Sequence, residues 1–574
     1  MKIIITNEAY RLTEQIPFQE PEQLEKLTAA RGQEASFQVI LFPEEECDLC
    51  LNGEPRIYGG AGRPAFRLEI CAEYPVRLFP EGMLCDDEGI WRADILNTER
   101  KVGLKKGRPV AVWAETDIPE DGTAEESTIT IRLWKFEQNG DEILYWRSDI
   151  CLNVRPFRMP LPTQYRFRLD LWQHVSNIAR QFAVPLFSEE HFLILRKMAE
   201  SLAQLGQKSI TVVASDSPWR GWACWENHRA PAELYEYNMI RTIKKRDGSF
   251  CYNYNAMQRY IDLCHDCGID GEIEVFGLVN IWRWADFDQK DVCPEYPENI
   301  LIRYYDEKEE KYCYLRKSED IRAYIAALEQ YFIGTGQIDR VRVAADEPKD
   351  FDRYQKSLAI VRETAPAFQY KTAIDHVEFL DKCKGEIADV APNFYCLCSR
   401  YDKLKVQQKE RPGSRFQWYI CCGPEYPNTF LESGLLEARF LGTMNALLGF
   451  DGLLRWTYTC WTERPLEDIR FGDWKAGDLC LVYPSKSGGI LKSLRWKALK
   501  RGIEDYELME RLREADREDI VQQVFDTLLN EQDVRKYVLE GRKVLPDIFV
   551  NNYNTFEKAR GLMLDTLEKI QENA

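Results

Sequence analysis

Between residues 165 and 458, strand-like apolar runs alternate with amphipathic helical ones, and the strand-like runs number eight. They lie at 165–172, 209–214, 272–279, 340–345, 368–374, 387–395, 416–421 and 452–458, with helical periodicity at 189–205, 254–267, 319–332, 351–364 and 434–448. Such alternation is the sequence form of a parallel sheet, because parallel neighbours need a crossover long enough to hold a helix. Eight units are what a closed (β/α)8 barrel, the TIM barrel, requires. The least regular stretches, 215–254 and 286–317, are expected as extended loops after strands two and three.

Upstream the rhythm is different. Short β-type runs at 2–6, 35–42, 66–79, 109–116, 127–134 and 143–154, broken by turn residues and without long helical periodicity, predict a β-sandwich over 1–158. In Arg155-Pro-Phe-Arg-Met-Pro-Leu-Pro162 each Pro removes a backbone donor, so this run reads as a linker, ending in a short connection at 159–164. The barrel then spans 165–512, and the charged, helically periodic remainder, 513–574, is a C-terminal helical segment. The expected fold class is therefore multidomain, all-β followed by α/β.

The 574 residues leave material for more than one core. A formal net charge of −18 argues against nucleic acid or an anionic membrane as partner, since both are held by clustered Lys and Arg. A neutral oligosaccharide or glycoconjugate suits such a surface better. Residues 1–15 lack a basic segment followed by a long apolar run, and no stretch reaches the ~18 apolar residues of a membrane span, so a cytoplasmic location is expected. The 18 Cys are then expected as reduced thiols. Two CxxC pairs, Cys47/Cys50 and Cys264/Cys267, either contribute to a zinc site, which needs about four ligands, or fill core gaps. No cofactor or other metal is expected.

At the C-terminal rim of a barrel the loops converge on one bowl. Asp346-Glu347-Pro348 follows directly on the apolar fourth run and puts two carboxylates at that rim. Glycoside hydrolysis needs one carboxylic acid to protonate the leaving oxygen and a second group to stabilise or attack the sugar cation. Successive strand residues face opposite ways, so both carboxylates reach the bowl only if the backbone turns at this step, and Pro348 restricts it toward such geometry. The plainer alternative is acidic residues that merely open a loop or cap a helix.

Aromatic residues favour the chemical reading. Trp219, Trp222 and Trp225 follow strand two, Trp282 and Trp284 follow strand three, and Trp456 and Trp461 lie in and after strand eight. Flat aromatic faces in a concave site pack against the C–H faces of sugar rings. His174 after strand one and His228 in the Trp-rich loop are candidate donors to sugar hydroxyls; Tyr395, Trp418 and Tyr419 lie near the ends of strands six and seven. No HExxH, P-loop, GxSxG or GxGxxG pattern occurs, which leaves zinc-protease, nucleotide-hydrolysing, α/β-hydrolase and dinucleotide readings without support.

In this order, Asp346-Glu347-Pro348, Gly449-Phe-Asp-Gly452, Trp456, Trp461, Gly477-Asp478, Val482-Tyr-Pro484, Ser493-Leu-Arg495 and Arg501-Gly-Ile-Glu-Asp-Tyr506 resemble the domain of unknown function 4091. That domain is the catalytic region of proteins similar to glycoside hydrolase family 123, the β-N-acetylgalactosaminidases. Val110-Ala-Val-Trp113 with Asp117-Ile-Pro119 resembles the family's N-terminal β-sandwich. The resemblance implies a retaining, exo-acting N-acetylhexosaminidase with substrate-assisted catalysis. Glu347 would be its general acid/base, and Asp346 would orient the 2-acetamido group and stabilise the oxazolinium ion. Tyr395 or Tyr419 would bond the acetamido oxygen and Trp456 would floor the sugar. Two other readings stand beside it: a glycosidase for another sugar in which Asp346, Glu425 or Glu463 is a true nucleophile, and a non-catalytic glycan-binding protein.

Overall fold

The computed structural model describes residues 1–14, 20–53, 64–137, 141–219, 233–280, 296, 300–382, 387–472 and 474–572 of a mixed α/β chain. Its first part holds two sheets. A five-stranded antiparallel sheet runs in the order Lys2–Asn7, Glu34–Phe42, Val110–Asp117, Val76–Cys85, Trp91–Leu96. A six-stranded sheet runs Lys26–Arg31, Glu142–Arg158, Glu126–Phe136, Ala65–Cys71, Cys47–Leu51, Lys101–Leu104. Alternate residues of both, among them Phe37, Val39 and Leu41 from one and Leu68, Ile131 and Leu133 from the other, form a single apolar cluster, as the two-residue period of a strand dictates.

Two local expectations change. The run 66–79 is two strands, Ala65–Cys71 and Val76–Cys85, in different sheets. Nor does Pro156 end the last strand. Glu142–Arg158 runs through it while the register against Lys26–Arg31 shifts between Arg155 and Arg158, and a bulge is where a residue without a donor is tolerated.

On the other face of the five-stranded sheet, Ile4, Ile40 and Trp113 pack on Leu435 and Leu494, which open the helices Leu435–Leu448 and Leu494–Glu514. Charge crosses the same contact. Lys497 is buried between Glu34 at 2.8 Å and Glu115, Arg501 reaches Glu8 at 2.8 Å, and Arg495 reaches Asp94 at 2.9 Å; buried charges are tolerated only when paired in this way. The two helices approach backbone to backbone: a Cβ on Gly442 would lie 1.8 Å from the Gly502 carbonyl oxygen.

Two parallel sheets position the site. One runs Ile210–Val213, Ile273–Phe276, Val341–Asp346, Gln369–Ile374, Asp389–Pro392. The other runs Asp170–Leu171, Gly452–Arg455, Gln417–Tyr419. Isolated parallel bridges join their edges, Leu169 with Gln207 on one side and Val390 with Phe416 and Asn393 with Tyr419 on the other. Helices Glu189–Ala203, Asn255–Asp266, Ser318–Gly334, Phe351–Thr364 and Leu435–Leu448 coincide closely with the periodic runs of the sequence.

Alternate strand residues form two layers on one face. In the first, Lys371 is buried between Asp170 and Glu274, the latter at 2.5 Å, and Arg342 bonds Asp389 at 2.7 Å. Two residues further along the strands, Trp172, Phe276, Ala344, Ala373, Ala391, Tyr419 and Leu454 form a separate apolar cluster. Ala344, Ala373 and Ala391 stand on three adjacent strands, so this layer is shallow on one side.

The stretches 215–254 and 286–317 are more ordered than plain loops. Among the described residues they supply the four strands Arg241–Lys244, Phe250–Asn253, Arg303–Asp306 and Lys311–Tyr314 of a small sheet. At the end of the chain, Tyr553–Glu572 packs back on the front sheets, with Arg155 reaching Asp565 at 2.5 Å. No helix among the described residues is long and apolar enough to cross a membrane.

Candidate active site

On the strand Val341–Asp346, residues Arg342, Ala344 and Asp346 share a face. An extended continuation would send Glu347 to the opposite one. Instead Glu347 has φ +43°, and its N–H donates to the Ala373 carbonyl at 3.0 Å. A non-glycine residue in the left-handed region costs about 1–3 kcal/mol and persists only where its surroundings enforce it. The step brings Asp346 and Glu347 to the wall of one cavity of about 230 Å³. Asn280 Nδ2 donates to the Asp346 carbonyl and fixes the same turn.

Aromatic side chains make most of the remaining wall: Trp172, Trp219, Tyr419, Trp456 and Trp474, with Leu234, Ala373, Leu454, Cys421 and Cys422. Trp172 and Trp219 stand with ring centroids 5.5 Å apart, and Trp456 and Trp474 5.2 Å apart. Trp456 Nε1 donates to Asp478 at 3.4 Å, and Asp478 is in turn held by Arg455 at 2.9 Å. Arg495 donates to the carbonyls of Gly477 and Cys480 on either side of that aspartate, each at 3.0 Å.

Burial raises Glu347 above the ordinary carboxylate range; the Tyr419 hydroxyl, which donates to its Oε1, pulls the other way, and the charge of Asp375 adds to the rise. A carboxyl that keeps its proton toward neutrality can deliver it to a leaving oxygen. His174 packs against Trp219 and Trp456 at 5.1 and 6.0 Å without reaching the cavity wall. It is buried, and burial pushes it down to about 3, so it is neutral.

Of the residues singled out by sequence, Asp346, Glu347, Trp219, Tyr419 and Trp456 come together here. Trp418 points away, donating to Asn445 at 2.9 Å, as it must when its neighbour Tyr419 faces the cavity. Trp461 is buried and donates to the Val482 carbonyl at 2.7 Å, and Tyr395 lies in the helix Phe394–Ser399 beneath Arg542; neither lines the cavity. Trp222, Trp225, His228, Trp282 and Trp284 fall outside the described residues. Sequence reasoning missed Trp172, Trp474, Cys421 and Cys422. The rule that selected Asp346, the end of a parallel strand, would also have found Trp172. Trp474 stands well past the eighth strand and carries no local signal.

Cys47 and Cys264 belong to the apolar clusters, and no group of three or more His, Cys, Asp or Glu among the described residues is placed to hold a metal ion.

The profile of the glycoside hydrolase 123 catalytic domain matches residues 172–512, which include every cavity residue. Among curated proteins none matches the chain. Among solved structures the chain is similar to a family 123 glycoside hydrolase from Clostridium perfringens, described for glycolipid glycan hydrolysis: 16% identity, TM-score 0.72, covering 100% of this chain and 98% of that one. An endo-β1,6-glucanase aligns at 12% identity and TM-score 0.35, over 67% of this chain and 84% of that one. Active domain 2 of a chitinase from Pyrococcus furiosus aligns at 10% identity and TM-score 0.29, over 61% and 96%. The first of these likenesses extends one shared fold over the whole length.

Proposed function

We propose, from the premise that the chain belongs to glycoside hydrolase family 123 and is a glycoside hydrolase, that it is a retaining, exo-acting N-acetylhexosaminidase, of N-acetylgalactosaminidase type, in which the substrate's own 2-acetamido group is the nucleophile. The observation that carries this reading is the left-handed step at Glu347, which turns two consecutive carboxylates onto one cavity. In a conventional retaining pair the acid and the nucleophile flank the scissile bond from two sides. Neighbouring residues at one strand end approach from one side and leave the opposite face to the acetamido carbonyl. Asp346 and Glu347 are the only carboxylates among the described residues that line the cavity. Glu425 is exposed and pairs with Lys475 at 3.5 Å, and Glu463 is also exposed, which leaves little support for a nucleophile at either.

Glu347, raised above the ordinary carboxylate range by burial, gives a proton to the glycosidic oxygen as the bond to the anomeric carbon breaks. The acetamido carbonyl oxygen closes on that carbon, and Asp346 steadies the resulting oxazolinium ion. Glu347 then takes a proton from the water that opens the ring, with overall retention. Trp456 and Trp474, tilted by 44° to one another, offer apolar ring faces to the sugar. The cavity is below the ~300–1,000 Å³ of pockets that enclose drug-sized ligands, which favours one terminal sugar over a threaded chain. The bridged parallel strands support a (β/α)8 barrel over 165–512 with the cavity at its C-terminal mouth. It follows a β-sandwich over 1–158 and a connection at 159–164, and precedes a helical segment at 513–574.

The test is a panel of nitrophenyl N-acetyl-β-galactosaminide, N-acetyl-β-glucosaminide and plain β-galactoside. Turnover should require the acetamido group, a thiazoline mimic of the cyclised intermediate should inhibit tightly, and Glu347→Gln should lose ~100- to 10,000-fold in kcat while still binding the sugar. Indifference to the thiazoline would remove substrate assistance from the account.

A further inference from the structure

Cys421 and Cys422 follow the strand Gln417–Tyr419, and both line the cavity. Their Sγ atoms are 3.6 Å apart, with Cys422 exposed and Cys421 half-buried. The backbone holds them in place: the Cys421 N–H donates to the Gly423 carbonyl at 3.1 Å, and Asn428 Nδ2 donates to the Cys421 carbonyl at 3.0 Å. The reaction set out above uses neither thiol.

Adjacent cysteines suit a bridging ion better than a direct bond. Neighbouring Cα atoms are about 3.8 Å apart across a trans peptide, whereas a disulfide wants ~4.4–6.8 Å. A thiophilic cation with two metal–sulfur bonds of ~2.3 Å would span the observed 3.6 Å at an angle of ~100°. That is close to tetrahedral, and neither sulfur has to move.

We propose that Cys421 and Cys422 form a two-thiolate site for a soft, thiophilic divalent cation, and that an ion held there occupies the sugar cavity and stops hydrolysis. Two thiols and one divalent cation give a dithiolate complex and two protons, with no change of oxidation state; water completes the tetrahedron. The inhibitory half rests on the function proposed above, and the binding half does not.

Cd2+ titrated into the whole reduced protein gives two readouts independent of activity, the ultraviolet thiolate-to-cadmium charge-transfer band and proton release. The tightest site should take one ion per chain. It should weaken in Cys421→Ser and in Cys422→Ser by more than the ~10–100-fold that loss of an outer-shell partner costs a metal site, and be untouched in Cys71→Ser, an exposed single thiol. Hydrolysis by the parent protein should fall in step with occupancy and return with a chelator, and both cavity variants should lose that sensitivity. A tightest site that survives in both cavity variants overturns the proposal. Binding through the pair with hydrolysis unhindered overturns its inhibitory half. A chain that turns over no sugar of the panel overturns the function reading instead, and the absorption titration still decides the site.

Discussion

Removing the Tyr419 hydroxyl takes away a hydrogen bond that opposes the effect of burial at Glu347. Phe at this position keeps the ring in its apolar cluster with Trp172 and Phe276, so the perturbation is confined to the bond. A hydrogen bond to a charged group is worth about 1.5–3 kcal/mol, and one pKa unit corresponds to about 1.4 kcal/mol, which sets the expected shift at ~1–2 units. The sign follows from the acceptor. The bond stabilises the ionised carboxylate, so without it the proton is held to higher pH. If Glu347 is the general acid, kcat/KM falls on the alkaline side as it ionises, and Tyr419→Phe should move that limb ~1–2 units upward. The assay is kcat/KM against pH for an N-acetyl-β-galactosaminide. An alkaline limb that stays put, or that moves to lower pH, would show that Glu347 is not the group whose protonation the rate reports.

Glu81 is buried, neither carboxylate oxygen has a hydrogen-bond partner among the described residues, and burial pushes it up to about 8. The unfolded chain loses this proton near its ordinary value while the folded chain keeps it, so stability falls as pH rises from there to about 8, by on the order of 5 kcal/mol in full. Glu81→Gln should therefore raise Tm over the parent more at pH 9 than at pH 5, and an equal change at both would count against it. Gly442→Ala drives a Cβ to 1.8 Å from the Gly502 carbonyl oxygen and should lower stability to denaturant by about 3 kcal/mol or more; a loss under about 1 kcal/mol would mean the helices part easily. His174 is already neutral above about 3, so His174→Gln should leave both limbs of the pH–rate curve between pH 4 and 9 in place, and a displaced limb would mean the imidazole titrates within that range.

The alternation of runs marked the parallel strands and their helices because each helix buries one stripe and each strand needs an apolar core, and both patterns survive in a single sequence. Phe351–Thr364 falls where its periodicity put it. What failed was what depends on partners. Lys26–Arg31 and Lys101–Leu104 carry short apolar patterns, Leu27, Ala29 and Ala30 in one and Val102 and Leu104 in the other, too brief to mark a strand until neighbours pair with them. The sixth run was read through to Tyr395, but Asn393 caps a helix by accepting from the Cys396 N–H, and the strand stops at Pro392. In the candidate site, the need for a backbone turn between the two carboxylates was legible from strand geometry, and the three alanines that leave room beside them were present in the sequence. Their alignment on adjacent strands was not, since register is a property of the pairing. Trp418 was singled out for its position near a strand end, where parity with Tyr419 would have sent it outward.

The buried ion pairs between the front sheets and helix Leu494–Glu514 make the front of the chain a participant in shaping the cavity, although none of its residues lines it. Asp94 orients Arg495, Arg495 pins the carbonyls flanking Asp478, and Asp478 holds Trp456. Excising the front of the chain would strip Lys497 and Arg495 of their counter-ions in one stroke and leave Arg501 with Glu504 alone, so that buried cations must be hydrated or expelled. A shortened enzyme would thus lose the fixed orientation of its aromatic floor along with its stability, and the two losses would have a single electrostatic origin.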